Sequence, residues 1–266
     1  MKRIYFIGLV LVLLCTSCFP KRENSYEYPE DFTPAYCMEN YEYVDPNLTY
    51  LHSYRRMRGK TRPSASDLYF SALQDVELND FILLIKHDGN SMFRGAHYAE
   101  VVRRKGNQTD PIQDWTVKKV ELFWKNSRLN HLGRDNNLWE RVLHYGTEDF
   151  HESLQVIDNE TMRDEIVSYA RTESFREAGY QAEGHPASEN VVYNSRFLAV
   201  RIYFEESENI VWNALIWKNE DVYGVERDFY QLSADIGEIK APGSEFYFFS
   251  DDLNDLIDSL LSEDES

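Results

Sequence analysis

From Arg196 to Leu232 apolar residues recur at every second position, and this stretch constrains the fold more than any other in the chain. Leu198, Val200, Ile202 and Phe204 alternate with Phe197, Ala199, Arg201 and Tyr203. After Glu206 to Asn209, Ile210, Trp212, Ala214 and Ile216 alternate with Val211, Asn213, Leu215 and Trp217. A period of two places successive side chains on opposite faces of a strand, so two such runs joined by a short polar turn predict an antiparallel hairpin. Lys218 to Asp221 turn the chain again into Val222 to Val225, which extends the hairpin to a meander of at least three strands. Both faces carry apolar residues, which predicts a sheet covered on one side and partly covered on the other.

The remaining pattern places helices between strands without regular βαβ alternation, which predicts an α+β body built on antiparallel meander sheets. The body is expected over 66–266, with a division into 66–157 and 158–266 as an alternative. Ser66 and Asp67 before Leu68, Ala72 and Val76 predict a short capped helix with apolar residues four apart. Strands are expected at Phe81 to Ile85, ending at the Asp88-Gly89 turn, at His97 to Arg104 and at Thr116 to Trp124, the last two separated by a loop from Gly106 to Pro111. In the third, Val120, Leu122 and Trp124 share one face, and Val117, Lys119, Glu121 and Phe123 the other. Leu129 to Asn137 reads as a polar loop and Leu138 to Tyr145 as a strand. Asp158 to Phe175 reads as a helix with Asp158 or Asn159 as cap and Met162, Ile166, Tyr169 and Ala170 on one stripe. A break at Gly179 to Asn190 precedes the meander. A last strand, Phe246 to Phe249, leads through Ser250 or Asp251 into an amphipathic C-terminal helix that buries Leu253, Leu256, Ile257, Leu260 and Leu261. Trp124-Lys125-Asn126 and Trp217-Lys218-Asn219 each end a strand in this reading, the one hint of an internal duplication.

The N-terminus reads MKRIYFIGLVLVLLCTSCFP. Lys2 and Arg3 precede an apolar run from Ile4 to Leu14 that suits a signal-peptide core and is too short to span a bilayer as a helix. The small residues Thr16 and Ser17 before Cys18 resemble the lipobox of bacterial lipoproteins. The resemblance implies removal of residues 1–17, a diacylglycerol on the Cys18 thiol and acylation of its new amino group. Cys15 stands three residues before Cys18, where Leu is commonest in that family. Two or three acyl chains are needed for stable attachment, since one chain anchors only marginally. Phe19 is not the Asp associated with inner-membrane retention, so the expected location is the cell envelope, with the outer membrane favoured.

From Cys18 to about residue 65 the chain reads as a Pro- and Tyr-rich spacer that docks rings on the body. It holds five prolines, and seven tyrosines lie between Tyr26 and Tyr54. Arg55, Arg56, Arg58, Lys60 and Arg62 follow as a dense basic cluster. Cys37 would be the one cysteine left unmodified and has no intramolecular partner in sequence.

The whole chain carries 28 basic and 46 acidic residues, a formal charge of -18. Loss of Lys2 and Arg3 with the signal leaves 26 basic against 46 acidic, or -20. Such a surface argues against nucleic acid, whose phosphates require clustered cations. A mean hydropathy of -0.56 excludes a polytopic membrane protein. The densest negative charge is at the end: Asp251, Asp252, Asp255, Asp258, Glu263, Asp264 and Glu265 fall in the last sixteen residues with no basic residue among them.

No glycine-rich phosphate loop, zincin helix, paired-cysteine metal site or nucleophile-elbow serine is present. No catalytic, cofactor-binding or metal-ligating residue is therefore assigned, and no cofactor is expected. Three groups of polar residues carry chemistry-bearing side chains. His144, Glu148, Asp149, His151 and Glu152 concentrate metal-type donors, but their convergence needs the chain to fold back on itself, and a solvated acidic loop explains them more simply. His131 with Arg134 and Asp135 offers a base without a nucleophile, and His87-Asp88 reads as a strand end with a turn aspartate. The function class these features favour is a membrane-tethered, non-catalytic binding protein, such as an immunity protein that sequesters a basic protein. The alternatives are a structural or assembly lipoprotein of the envelope and, behind it, a metal-dependent hydrolase built on the His144 to Glu152 group.

Overall fold

The computed structural model describes residues 32–51, 68–73, 80–87, 97–126, 151–177, 180, 189–193, 196–231 and 243–264. The elements in chain order are α1 (Pro34–Asn40), β1 (Tyr41–Tyr43), β2 (Leu48–Tyr50), β3 (Leu68–Ala72), β4 (Phe81–His87), β5 (His97–Arg104), α2 (Pro111–Asp114) and β6 (Val117–Asn126). They continue with β7 (His151–Val156), α3 (Glu160–Ala170), β8 (Phe175–Arg176), β9 (Glu189–Asn190), β10 (Val192–Tyr193) and β11 (Arg196–Phe204). The chain then forms β12 (Ile210–Asn219), β13 (Val222–Gln231), β14 (Gly243–Phe248) and α4 (Asp251–Asp264). The class is α+β, with antiparallel sheets and the C-terminal helix in place.

The alternating stretch forms the expected meander. β11 pairs with β12 and β12 with β13, and the strand order of the large sheet is β14-β13-β12-β11-β6-β7. Glu220 takes the left-handed conformation, φ 54°, in the turn between β12 and β13. β6 runs beside β11 from Asn126 opposite Arg196 to Val117 opposite Phe204. A boundary at 157/158 would therefore cut through one sheet. The small sheet has the order β1-β5-β4-β3.

Residues 32–51, expected in the spacer, supply structure to both sheets. β1 pairs with β5 of the small sheet and β2 with β12 of the large one, so the stretch from Tyr41 to Tyr50 crosses between them. Its tyrosines Tyr41, Tyr43 and Tyr50 are buried. Thr33 caps α1 by accepting from the Tyr36 N–H at 3.2 Å, with Pro34 in the first turn where its missing N–H costs nothing.

The helix expected after Ser66 is instead strand β3, paired with β4 from Leu68 opposite Lys86 to Ala72 opposite Ile82. A spacing of four is compatible with a period of two as well as with a helical turn. Tyr69 and Phe70 are β-formers, and the neighbouring apolar strand β4 decides between the two. The helix expected over 158–175 ends at Ala170, with Asn159 as its cap, accepting from the Thr161 and Met162 N–H groups. His151 and Glu152, expected in a loop group, begin β7 on the edge of the large sheet. The run expected as strand at Leu138 to Tyr145 lies outside the described residues.

Two cores form on opposite faces of the small sheet. Phe81, Leu83 and Val101 join the main core with Val120, Leu122 and Trp124 of β6, Leu198, Val200 and Ile202 of β11, and Trp212, Val225, Leu253 and Ile257. Ile82, Leu84 and Val102 join a second core with Phe32, Cys37, Tyr41, Tyr43, Phe70 and Tyr230. The other face of the large sheet carries buried polar groups among the buried apolar residues Phe123, Ala199 and Val211. Arg201 and Glu121, opposite each other across β11 and β6, are both buried. The Arg201 Nε donates to Asn213 Oδ1 at 2.7 Å, its cation lies 4.4 Å from the Phe123 ring, and the Tyr203 hydroxyl donates to Glu121 Oε2 at 2.6 Å. Burial and that carboxylate push the Tyr203 phenol up to about 12.

Candidate binding surface at the C-terminal helix

α4 is held against the body by a set of contacts that fix its rotation. Leu253 and Ile257 are buried, and Leu256, Leu260 and Leu261 pack on the main core, the stripe expected from their spacing. Asn254 ties the helix to β13: its Oδ1 accepts from the Tyr223 N–H at 2.6 Å, and its Nδ2 donates to the Phe249 and Ser250 carbonyls, each at 2.9 Å. At the helix start, Glu165 of α3 accepts from the Ser250 N–H at 2.7 Å and from the Ser250 hydroxyl at 2.6 Å. A carboxylate there complements the positive end of the helix dipole. The Tyr169 hydroxyl contacts Glu165 Oε1 at 2.9 Å and the Phe248 carbonyl at 2.7 Å, which joins α3, β14 and α4 in one corner.

This frame turns Asp251, Asp252, Asp255 and Asp258 to solvent. Asp258 accepts from the Tyr223 hydroxyl at 2.7 Å, and Lys218 donates to the same hydroxyl at 3.1 Å. The Lys218 ammonium lies 4.7 Å from the centre of the Tyr223 ring and 3.9 Å from the Asp258 carboxylate. Burial, and then Asp258, raise the Tyr223 phenol above its ordinary value. Beside this triad a cleft of about 410 Å³ opens, lined by Glu189, Asn190 and Val191 on the β9 side and by Lys218, Tyr223, Asp258, Leu261 and Ser262 on the other.

A second polar centre is internal. Asp45 and Arg227 form a fully buried ion pair at 2.8 Å. Arg227 also donates to the Ala170 carbonyl, an acceptor that the C-terminus of α3 leaves open, and to the Thr172 and Glu173 carbonyls just beyond the helix. Ser174 donates to Asp45 Oδ2 at 2.6 Å, and the Asn47 N–H to Asp45 Oδ1 at 2.8 Å. Asn47 then bridges the place where β12 and β13 part: its Nδ2 donates to the Asn213 carbonyl at 3.1 Å and its Oδ1 accepts from the Asp228 N–H at 3.1 Å. These groups are mutually satisfied and structural. Sequence reasoning missed them, although Arg227 holds a core-facing parity with Tyr223, Val225 and Phe229, and a charge in such a series is a signal.

A third centre gathers Glu245, Arg176, Tyr180 and Tyr247. Arg176 grips Glu245 through two bonds, Nε to Oε1 at 3.1 Å and Nη2 to Oε2 at 2.6 Å. The Tyr180 and Tyr247 hydroxyls donate to the same carboxylate at 2.6 and 2.7 Å. Together they hold it down at about 2, the Arg176 bonds contributing most.

Of the residues singled out in sequence, Cys18, the basic cluster Arg55 to Arg62, Asp88, His131, Arg134, Asp135, His144, Glu148 and Asp149 lie outside the described residues. Glu152 of β7 pairs with Arg196 of β11 across the intervening strand β6. His87 stands opposite His97 in the β4–β5 register. Among the described residues no group of three or more His, Cys, Asp or Glu is placed to hold a metal ion. Among them, too, no helix is long and apolar enough to cross a membrane. Comparison of the chain with protein-family models, with curated proteins and with solved structures finds no match.

Proposed function

We propose that the chain is a lipid-anchored bacterial envelope protein, attached through Cys18, that binds a basic protein partner without catalysis, in the manner of an immunity protein. The observation that carries this reading is the presentation of α4. Four aspartates face solvent from a helix whose rotation is fixed by Leu253, Ile257, Asn254 and the Glu165–Ser250 contacts. Charges on a rigid frame lose little entropy when a partner docks, and a one-signed surface speeds encounter with an oppositely charged one. The Cys18 motif supplies the tether, and an acidic body near anionic lipid is repelled from it, which favours display away from the bilayer.

The test uses the full-length chain in nonionic detergent, incubated with envelope extract and recovered with its bound proteins. The expected result is a stoichiometric basic protein whose recovery falls about ten-fold or more when Asp251, Asp252, Asp255 and Asp258 are all changed to Asn, and falls as salt screens the charges. Failure to recover any stoichiometric protein, or recovery unchanged in the Asn variant, overturns it. Intact-mass measurement on the membrane-extracted chain checks the anchor: loss of residues 1–17 and a lipid adduct are expected, and Cys18→Ala abolishes the adduct.

A further inference from the structure

We propose that an apolar patch on the face of the large sheet turned away from the main core, at the end where β12 turns into β13, anchors an apolar side chain of the basic protein partner; this rests on the partner reading above and names the surface. The placement follows from register. Tyr223 and Val225 enter the main core, so Val222 and Gly224 belong to the opposite face. Gly224 stands opposite Phe248 on β14 and opposite Trp217 on β12, and antiparallel partners share a face. Val192 lies on the same face through its pairing with Phe197, which alternates with the core residue Leu198. Val192, Val222 and Phe248 are 52%, 38% and 46% exposed, three of the four large apolar side chains exposed among the described residues. Scattered singly they would need no explanation, but together on one face of one sheet they form a patch of the kind that marks an interaction site. The patch is also held in shape. With no side chain at Gly224, the Phe246 ring lies over the β13 backbone, where a Cβ would come within 2.6 Å of it. Phe248 meets that ring edge to face, with centroids 4.9 Å apart and planes at 78°. Rings fixed in this way offer contact area at small entropic cost.

The charge around the patch identifies its occupant. Glu220 and Asp221 precede Val222 in the turn, Asp251 and Asp252 follow Phe248 at the start of α4, and all four are exposed. Residues 219–226 and 243–264 include no Lys or Arg. Lys218 stands opposite Tyr223 and so belongs to the other face. The cations of the patch's own face, Lys119, Lys125 and Arg201, stand on β6 and β11, beyond β12. An apolar centre within a polar rim has the anatomy of a protein interface, and a rim of one sign selects the opposite sign. The surface therefore fits an apolar side chain flanked by Lys or Arg. A second copy of this chain would set carboxylates against carboxylates, and an anionic bilayer would be repelled.

The experiment titrates the full-length chain in nonionic detergent with three short probes: acetyl-Lys-Leu-Lys-Leu-Lys amide, the same peptide with Gln in place of Leu, and chitotriose. Titration of detergent alone corrects for partition into micelles. Amide NMR shifts of Val222, Gly224 and Phe248 are followed. The Lys-Leu peptide is expected to move them saturably and to bind about five-fold or more tightly than the Lys-Gln peptide. Phe248→Gln and Val222→Thr should each remove most of that difference, and added salt should weaken both peptides. Both side chains are exposed and Thr keeps the β-branch, so the variants fold, and unchanged shifts of main-core amides verify this. Equal binding of the two peptides, or binding indifferent to both substitutions, overturns the proposal. So does a response to chitotriose as strong as that to the Lys-Leu peptide, which assigns the face to a glycan. Shifts of Val222 and Phe248 that follow protein concentration alone assign it to a second copy and overturn it equally. If the envelope partner is recovered by the Phe248→Gln, Val222→Thr chain as well as by the unaltered one, the patch assignment falls and the partner reading stands. If neither chain recovers a stoichiometric protein while the Lys-Leu peptide binds as stated, the partner reading falls and the peptide site stands.

Discussion

Asp45 and Arg227 meet at 2.8 Å with their side chains 0% and 1% exposed, joining positions 182 residues apart. The contact locks the segment that follows the N-terminal region to β13 and to the end of α3. Removing one member of such a pair strands the other charge out of water, which costs about 3–5 kcal/mol. Arg227→Met is expected to lower unfolding free energy by that amount in urea titration. Combined with Asp45→Asn it should cost less than the sum of the single changes, by more than about 1 kcal/mol. Additive costs would mean that the two residues act separately.

Asp228 sits half-buried on β13, where burial, with Glu226 and Asp45 nearby, raises its carboxyl to about 6. An unfolded aspartate titrates near about 3.9. The native state therefore holds this proton more tightly, so its contribution is fully present below pH 4 and is lost as pH rises through about 6. Asp228→Asn is expected to be more stable than the unaltered chain by about 2 kcal/mol at pH 8 and equal to it at pH 4. Denaturation at both pH values checks this, and a pH-independent difference contradicts it.

The Glu245 carboxylate behaves in the opposite sense. Held at about 2 by Arg176, Tyr180 and Tyr247, it adds stability above the ordinary carboxylate range that disappears as pH falls through about 2. Glu245→Gln should cost about 2 kcal/mol at pH 7. The gap to the unaltered chain should narrow steadily in thermal melts between pH 4 and pH 2.

Gly224 lies on β13 where a Cβ would stand 2.5 Å from the Tyr247 carbonyl and 2.6 Å from the Phe246 ring. The ring can turn, but the carbonyl belongs to the β13–β14 ladder and cannot. Gly224→Ala is expected to destabilise by about 1–3 kcal/mol and to speed hydrogen exchange along β14. Normal protection of the Glu245 and Tyr247 amides in that variant would show that the strand accommodates a methyl group.

The elements that depend on local periodicity were legible in the sequence. The meander from Arg196 onward, the helix stripe of Met162, Ile166 and Ala170, and the buried face of α4 all follow from repeats of two or about 3.6 residues. Leu68 to Ala72 forms a strand where the spacing predicts a helix, because apolar residues four apart satisfy both periods and only pairing with β4 distinguishes them. The acidic row of α4 was visible as composition. The cleft beside it was not, since Glu189, Lys218 and Asp258 are brought together by packing of β9, β12 and α4.

By itself the sequence determined the α+β class, the order of most elements, the Cys18 motif and the acidic end, because each rests on neighbours within a few turns or on a count of charges. The tertiary structure alone decided that residues 41–50 bridge two sheets, that Arg227 closes the end of α3 over Asp45, and that Asn47 fills the opening between β12 and β13. These contacts join residues far apart in the chain, where no local period marks them, and they exist because buried polar groups must find partners wherever the fold places them.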